Sequence, residues 1–182
     1  AKQFHIYKNK EILEHSIEKS LNSRLFKKII VVTNNLKYLK KNKNSKFISF
    51  IKGGKERSDS SLKALKYLKK YRPKNVFIHD AARPNFSIKL LKNISKSLKK
   101  NKAVVPIIYS IDSAKYKINN KVFNLDKENL ILTQTPQAFR YNELYNISVK
   151  EKLKVSDEAS LFLSQNYKVK FIPGENTNNK IT

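Results

Sequence analysis

Cysteine is absent from this chain of 182 residues, which excludes disulfides and thiolate metal sites and fits a cytoplasmic protein. No apolar run is long enough to span a bilayer. Histidine occurs only as His5, His15 and His79, which argues against a histidine metal cluster. Glycine occurs only as Gly53, Gly54 and Gly174, so no glycine-rich loop lies within the chain. Acid is scarce too: 14 Asp and Glu stand against 39 Lys and Arg, for a formal net charge of +25. That charge invites a nucleic-acid surface, but nearly all of it is lysine, and Asn and Ile are abundant as well. This is the composition an AT-rich genome imposes whatever the function. No basic stripe is interleaved with aromatics that would stack on bases. Solvated faces are the better reading, with a field that still favours small anionic substrates.

Arginine is the informative scarcity. Only Arg24, Arg57, Arg72, Arg83 and Arg140 occur. Lysine replaces arginine freely on a surface, but not where a planar fork must hold two oxygens. Arg57 and Arg83 lie in the two most motif-like segments.

The first is Val76-Phe77-Ile78-His79-Asp80-Ala81-Ala82-Arg83-Pro84. A short apolar run entering a polar turn reads as a buried parallel strand delivering functional groups at its carboxyl end. Ligands of open α/β sheets bind there. Asp80 suits a hydroxyl or a metal, and Arg83 suits a phosphate. A salt-bridged turn would have the same pattern, and His79 reads as a packed or hydrogen-bonded histidine. The second is Gly53-Gly54-Lys55-Glu56-Arg57-Ser58-Asp59-Ser60, a glycine turn feeding a helix, where free N–H groups can meet an anion. Arg57 and Ser60 would share one face of its first turn. A plain strand–helix turn with an N-cap serine reads the same way.

The spacing predicts helices over about 10–22, 58–70, 87–100 (capped by Ser87) and 141–150, and another starting at Ser156. It predicts strands at 29–33, 47–51, 76–78, 103–108 and 169–172. Alternation on either side of Asn119-Asn120 marks a hairpin. We therefore expect a single α/β domain over 1–182, a mostly parallel mixed sheet with helices on both faces, and an inserted β-arm at about 109–132.

In order and spacing, Lys2-Gln3, GGKERSDS, VFIHDAARP, DSAK, TQTPQAF, SDEASLF and NNKIT resemble the 2-C-methyl-D-erythritol 4-phosphate cytidylyltransferases over essentially the whole chain. HDAARP and TPQAF are the specific parts of the likeness. It implies a Rossmann-like nucleotidyltransferase fold and a homodimer built through the β-arm. It implies transfer of a cytidylyl group from CTP to methylerythritol phosphate in non-mevalonate isoprenoid synthesis. Magnesium would be bound mainly through the CTP phosphates, with no metal ligand on the protein. Lys2 and Lys180 would neutralise the reacting phosphates. Gly53, Gly54, Lys55, Arg57 and Ser60 would border the cytidine, with Asp80 and Ala81 at the ribose. Asp80, Arg83, Ser113, Lys127, Thr135, Ser156 and Lys180 would serve the acceptor, across the dimer cleft.

The chain departs from the family pattern in places. Lys55 stands where an acid is usual, Lys127 where an arginine is common, and Ser113 and Ser156 where threonines are expected. The family's opening strand and glycine-rich loop, with a catalytic arginine, would precede Ala1, and a closing helix would follow Thr182. The expectation is thus a fragment of a longer protein, with little activity as it stands. Alternatives are a ribitol 5-phosphate cytidylyltransferase, a non-catalytic remnant and a basic nucleic-acid-binding protein.

Overall fold

A computed structural model describes residues 2–40, 46–151 and 155–181. In chain order they form β1 (Ile6–Tyr7), β2 (Lys10–Glu11), α1 (Ile12–Asn22), β3 (Ile29–Thr33), α2 (Leu36–Lys40), β4 (Ile48–Lys52), α3 (Arg57–Leu68), β5 (Asn75–Ile78) and α4 (Ile88–Leu98). There follow β6 (Ala103–Tyr109), β7 (Ala114–Ile118), β8 (Lys121–Leu125), β9 (Ile131–Thr133), β10 (Gln137–Arg140), α5 (Tyr141–Lys150), α6 (Glu158–Ser164) and β11 (Lys170–Pro173). No helix among the described residues is long and apolar enough to cross a membrane.

The main sheet has the order β11-β6-β10-β5, with β9 added on β6. β11 runs parallel to β6, while β10 is antiparallel to both β6 and β5. Thus β5, β6 and β11 point one way, and β10 is reversed between two of them. β3 and β4 form a separate parallel pair. This is the α/β architecture expected, with four strands, β1, β2, β9 and β10, that the pattern did not predict. β9 lies at the end of the stretch read as the arm, and β10 in the stretch read only as leading to α5. They are short, and β10 is buried on both faces, so it has no polar alternation to betray it.

Successive residues of one strand face opposite layers. Val76, Ala103 and Phe139 pack with α3, α5 and α6. Their neighbours Phe77, Val104 and Ala138 pack with α4. Leu90, Leu91, Ile94 and Leu98 give α4 one apolar stripe, and Ser87 caps it as expected, accepting from the Leu90 amide. A smaller core joins Leu13 of α1 to Val31, Tyr38 and Phe50.

β7 and β8 form the predicted hairpin, with Asn119 and Asn120 both at positive φ, as a two-residue turn requires. Ala114, Tyr116 and Ile118 share one face with Phe123 and Leu125 across the ladder, and Tyr116 stacks on Phe123 at 5.1 Å. Lys115, Lys117, Val122 and Asn124 take the other face. The apolar face is bare: Tyr116 is 43%, Ile118 55%, Phe123 41% and Leu125 37% exposed.

Candidate active site

β3, β4 and β5 release the chain at the carboxyl edge of the fold, and the loop entering β10 lies beside them because Gln137 pairs with Ile78. The turn after β5 is closed by Arg83 N–H donating to the Asp80 carbonyl at 3.0 Å. Three cations surround the Asp80 carboxylate: Lys180 at 3.2 Å, Arg57 at 3.6 Å and Arg83 at 3.8 Å. The structure therefore gathers residues from four predicted segments, since Thr135 Oγ1 also accepts a hydrogen bond from the Asp80 amide at 3.0 Å. The carboxyl terminal segment is pinned across this turn by Ile181 N–H to the Ala82 carbonyl, 2.9 Å, and by Arg83 Nη1 to the Asn178 carbonyl, 2.9 Å. Burial alone would raise the Asp80 carboxyl. Lys180 and Arg57 outweigh it and hold the group below its ordinary value.

Arg57 opens α3 and is gripped from the far side by Glu158, Nη1 to Oε1 at 3.0 Å and Nη2 to Oε2 at 2.8 Å. Glu158 is only 2% exposed. Burial opposes the charge on Arg57, but Glu158 overrides it and raises the guanidinium above its usual value. The fork that the resemblance assigns to the nucleotide thus meets a carboxylate of its own chain, and Arg57 Nε lies 3.6 Å from Asp80. Together Asp80, Glu158, Arg57, Arg83 and Lys180 carry three positive and two negative charges, a net of +1 aimed at the edge of the sheet.

A cleft of about 510 Å³ is lined by Gln3, Phe4, Thr33, Asn34, Gly53 and Ser60, among others, Ser60 lying one turn along α3 from Arg57. Lys2, exposed in the turn Lys2–Phe4, stands next to its lining. Gly54 is required by close approach. A Cβ there would lie 2.2 Å from Asp59 Cβ, and its amide donates to Ser60 Oγ at 3.0 Å. Ser60 is therefore not the helix cap. That place belongs to Glu56, whose amide donates to Asp59 at 3.2 Å. Lys55 lines a separate groove with Asp59, Leu62, Lys63 and Lys66.

Ala81 packs toward the small core around Val31. Ser113 at the base of the arm and Lys127 in the turn Lys127–Asn129 are exposed, and among the described residues neither bonds to the Asp80 cluster. Ser156 is exposed as well, and the helix expected to start there is capped one residue later by Asp157, which accepts from the Ser160 amide at 3.0 Å. Burial would raise the Asp157 carboxyl. Hydrogen bonds from Ser160, Gln137 and Thr133 keep it lowered.

Sequence reasoning missed Glu158, Gln134, Gln137 and Asn178, all buried. Gln134 Nε2 donates to the Glu175 carbonyl at 2.9 Å, and Asn178 Nδ2 to the Thr135 carbonyl at 2.9 Å. Their signal was available: each is a polar residue inside a motif-bearing segment, where burial needs a partner. His79 is partly buried. Desolvation pushes its imidazole down to about 4, so it is neutral.

The family model for 2-C-methyl-D-erythritol 4-phosphate cytidylyltransferase matches residues 1–182. A bifunctional enzyme IspD/IspF of Pelagibacter ubique is 48% identical over 97% of this chain, which spans 48% of that protein. A 2-C-methyl-D-erythritol 4-phosphate cytidylyltransferase of Thermosipho melanesiensis is 35% identical over the whole chain, which covers 84% of it. Thus the chain spans about half of one such relative and most of the other. Among solved structures, the Francisella tularensis 2-C-methyl-D-erythritol 4-phosphate cytidylyltransferase superimposes with a TM-score of 0.86 at 30% identity, covering 100% of this chain and 87% of that one. The 4-diphosphocytidyl-2C-methyl-D-erythritol synthase of Anaerococcus prevotii gives 0.87 at 28%, covering 99% and 87%.

Proposed function

Because the chain belongs to the 2-C-methyl-D-erythritol 4-phosphate cytidylyltransferase family, we propose that it transfers a cytidylyl group from CTP to 2-C-methyl-D-erythritol 4-phosphate. A phosphate oxygen of the acceptor forms a bond to the α-phosphorus of CTP, the bond to the β-phosphate oxygen breaks, and pyrophosphate leaves. The product would serve isoprenoid synthesis in the cytoplasm. The observation that carries this reading is the meeting of Asp80, Arg83, Thr135 and Lys180, from three distant segments, around one carboxylate and its turn.

Such a displacement needs positioning and charge neutralisation more than covalent help. The cleft past β3 would take the cytidine against Gly53 and Ser60. Asp80, fixed by Arg57 and Thr135, would accept a ribose hydroxyl. Arg83, with Nη1 spent on Asn178, would hold the acceptor phosphate with its remaining donors. Lys180 and Lys2 would neutralise the charge that develops on the reacting phosphates. Asp80 does not suit a metal, since three cations already face it. Magnesium would be held on the triphosphate, as the family resemblance implies.

The reading includes a homodimer through the β7–β8 arm. Four large apolar side chains on one face, with Lys121 at its turn end, favour a second copy as the cover. Ser113, Lys127 and Ser156 would then serve the site across the dimer cleft, which accounts for their exposure in the single chain.

The test is pyrophosphate release by the full-length protein with CTP, magnesium and either 2-C-methyl-D-erythritol 4-phosphate or ribitol 5-phosphate. Release with the first alone is expected. Release only with ribitol phosphate would keep the fold and chemistry and change the acceptor; no release with either would overturn the reading.

A further inference from the structure

We propose that His79 is a positioning residue that ties the nucleotide side of the site to the acceptor side through its two ring nitrogens. The proposal rests on the reading above, in which Asp80 serves the nucleotide and Arg83 the acceptor.

The argument is one of donors and acceptors. Nε2 lies 3.0 Å from the Arg83 carbonyl oxygen, which can only accept, so Nε2 carries the proton. Nδ1 of the neutral ring then offers a lone pair, and the Thr135 hydroxyl at 3.1 Å donates to it. With its proton so directed, Thr135 Oγ1 accepts the Asp80 amide at 3.0 Å. Every hydrogen in the chain is assigned: Asp80 N–H to Thr135, Thr135 O–H to Nδ1, Nε2–H to Arg83. The ring itself is held edge-on against fully buried Phe86, centroids 4.5 Å apart. Asp80 and Arg83 thus leave one four-residue turn whose two ends hang on opposite nitrogens of one imidazole. No other side chain does both. Asparagine reproduces the Nδ1 acceptor, and glutamine the Nε2 donor.

That asymmetry supplies the test. In the full-length protein, His79→Asn keeps the link toward Thr135 and Asp80 and cuts the link to Arg83. His79→Gln does the reverse. KM for each substrate, and dissociation constants for CTP and for the acceptor measured by calorimetry, are read separately. Losing one buried hydrogen bond predicts roughly a tenfold weakening for the acceptor with His79→Asn and for CTP with His79→Gln, the other ligand moving less than about twofold. Thr135→Val should weaken CTP as His79→Gln does, and Thr135→Ser, which keeps the hydroxyl, should weaken it less than Thr135→Val. Imidazole ¹⁵N shifts of the wild type should place the proton on Nε2. Equal effects on both ligands in both variants, or a proton on Nδ1, would overturn the proposal in favour of a merely structural histidine. A wild type that binds both ligands without releasing pyrophosphate would sink the reaction assigned above, and the cross-over would still be decided by the dissociation constants. A wild type that binds neither overturns both.

Discussion

The Asp80 cluster and the β7–β8 arm satisfy their side chains in opposite ways. In the cluster, charged groups from sequence positions as far apart as Arg57 and Lys180 find one another inside a single chain, and Asp80 and Glu158 are each met by cations. In the arm, Tyr116, Ile118, Phe123 and Leu125 cover one another only in part and remain 37–55% exposed. Polar groups are taken out of solvent only with partners, whereas apolar groups left in solvent mark a surface that another body completes. The site's charged groups are thus largely assembled within one chain, whereas the dimer proposed through the arm would need a second.

The sharpest way to break this contrast is at Glu158. Removing one partner of a buried ion pair leaves the other charge stranded, so Glu158→Ala should cost about 3–5 kcal/mol in urea unfolding. Replacing both by apolar residues, Arg57→Met with Glu158→Leu, should recover most of that stability and none of the transfer activity, since Asp80 loses its brace. A double variant that remained as active as wild type would show that the cluster is a fold device alone.

Next in size is a pH effect that belongs to the cluster and not to the arm. Burial holds the His79 imidazole neutral down to about 4 in the folded protein, against an ordinary value of 6.5. Between those values the unfolded chain takes up a proton that the folded chain refuses. The stability is full above about pH 6.5 and declines as the pH falls, by at most about 3 kcal/mol. Asp80 and Asp157, both lowered from 3.8, add their loss only below that value. Unfolding midpoints at pH 7 and pH 5 should differ for the wild type and converge for His79→Gln.

The arm should answer to concentration and not to pH. Tyr116→Ser with Phe123→Ser removes two rings, each worth about 1.5–3 kcal/mol when buried at an interface. Sedimentation should find a wild-type dimer and a monomeric variant at micromolar concentration. Because the rings are exposed in the single chain, the unfolding free energy of the monomer should change by less than about 0.5 kcal/mol. An unchanged dimer would place the interface elsewhere.

Much of this was legible in the residues, and the losses have physical reasons. α5 begins and ends where its periodicity puts it, and Asn119-Asn120 makes the turn it advertises, because both signals are local. α6 starts two residues later than expected, capped by Asp157, because Ser156 and Asp157 are both good caps, and only the partners Thr133 and Gln137 decide between them. β10 was missed because a central four-residue strand has neither length nor alternation to announce it. The engagement of Arg57 could not be read at all: its partner is Glu158, 101 residues away, and no spacing rule spans that distance.

Lys55 gives the smallest effect and the finest form of the comparison. It stands two residues from Arg57 in the same glycine turn, and the family resemblance would assign it to the cytidine. Yet it shares a groove with Leu62, Lys63 and Lys66, apart from the cleft that Gly53 and Ser60 line. A strand–helix turn sends successive side chains to different sides, and the close packing of Gly54 on Asp59 fixes which side each takes. Lys55→Ala should therefore change KM for CTP by less than about twofold, the long-range effect of one solvated charge. Arg57→Ala in the same assay should raise it by roughly tenfold or more, since Asp80 loses the cation that holds it. Equal effects at the two positions would mean that the cytidine reaches over the helix start, and that the cleft beyond β3 is not where the base lies.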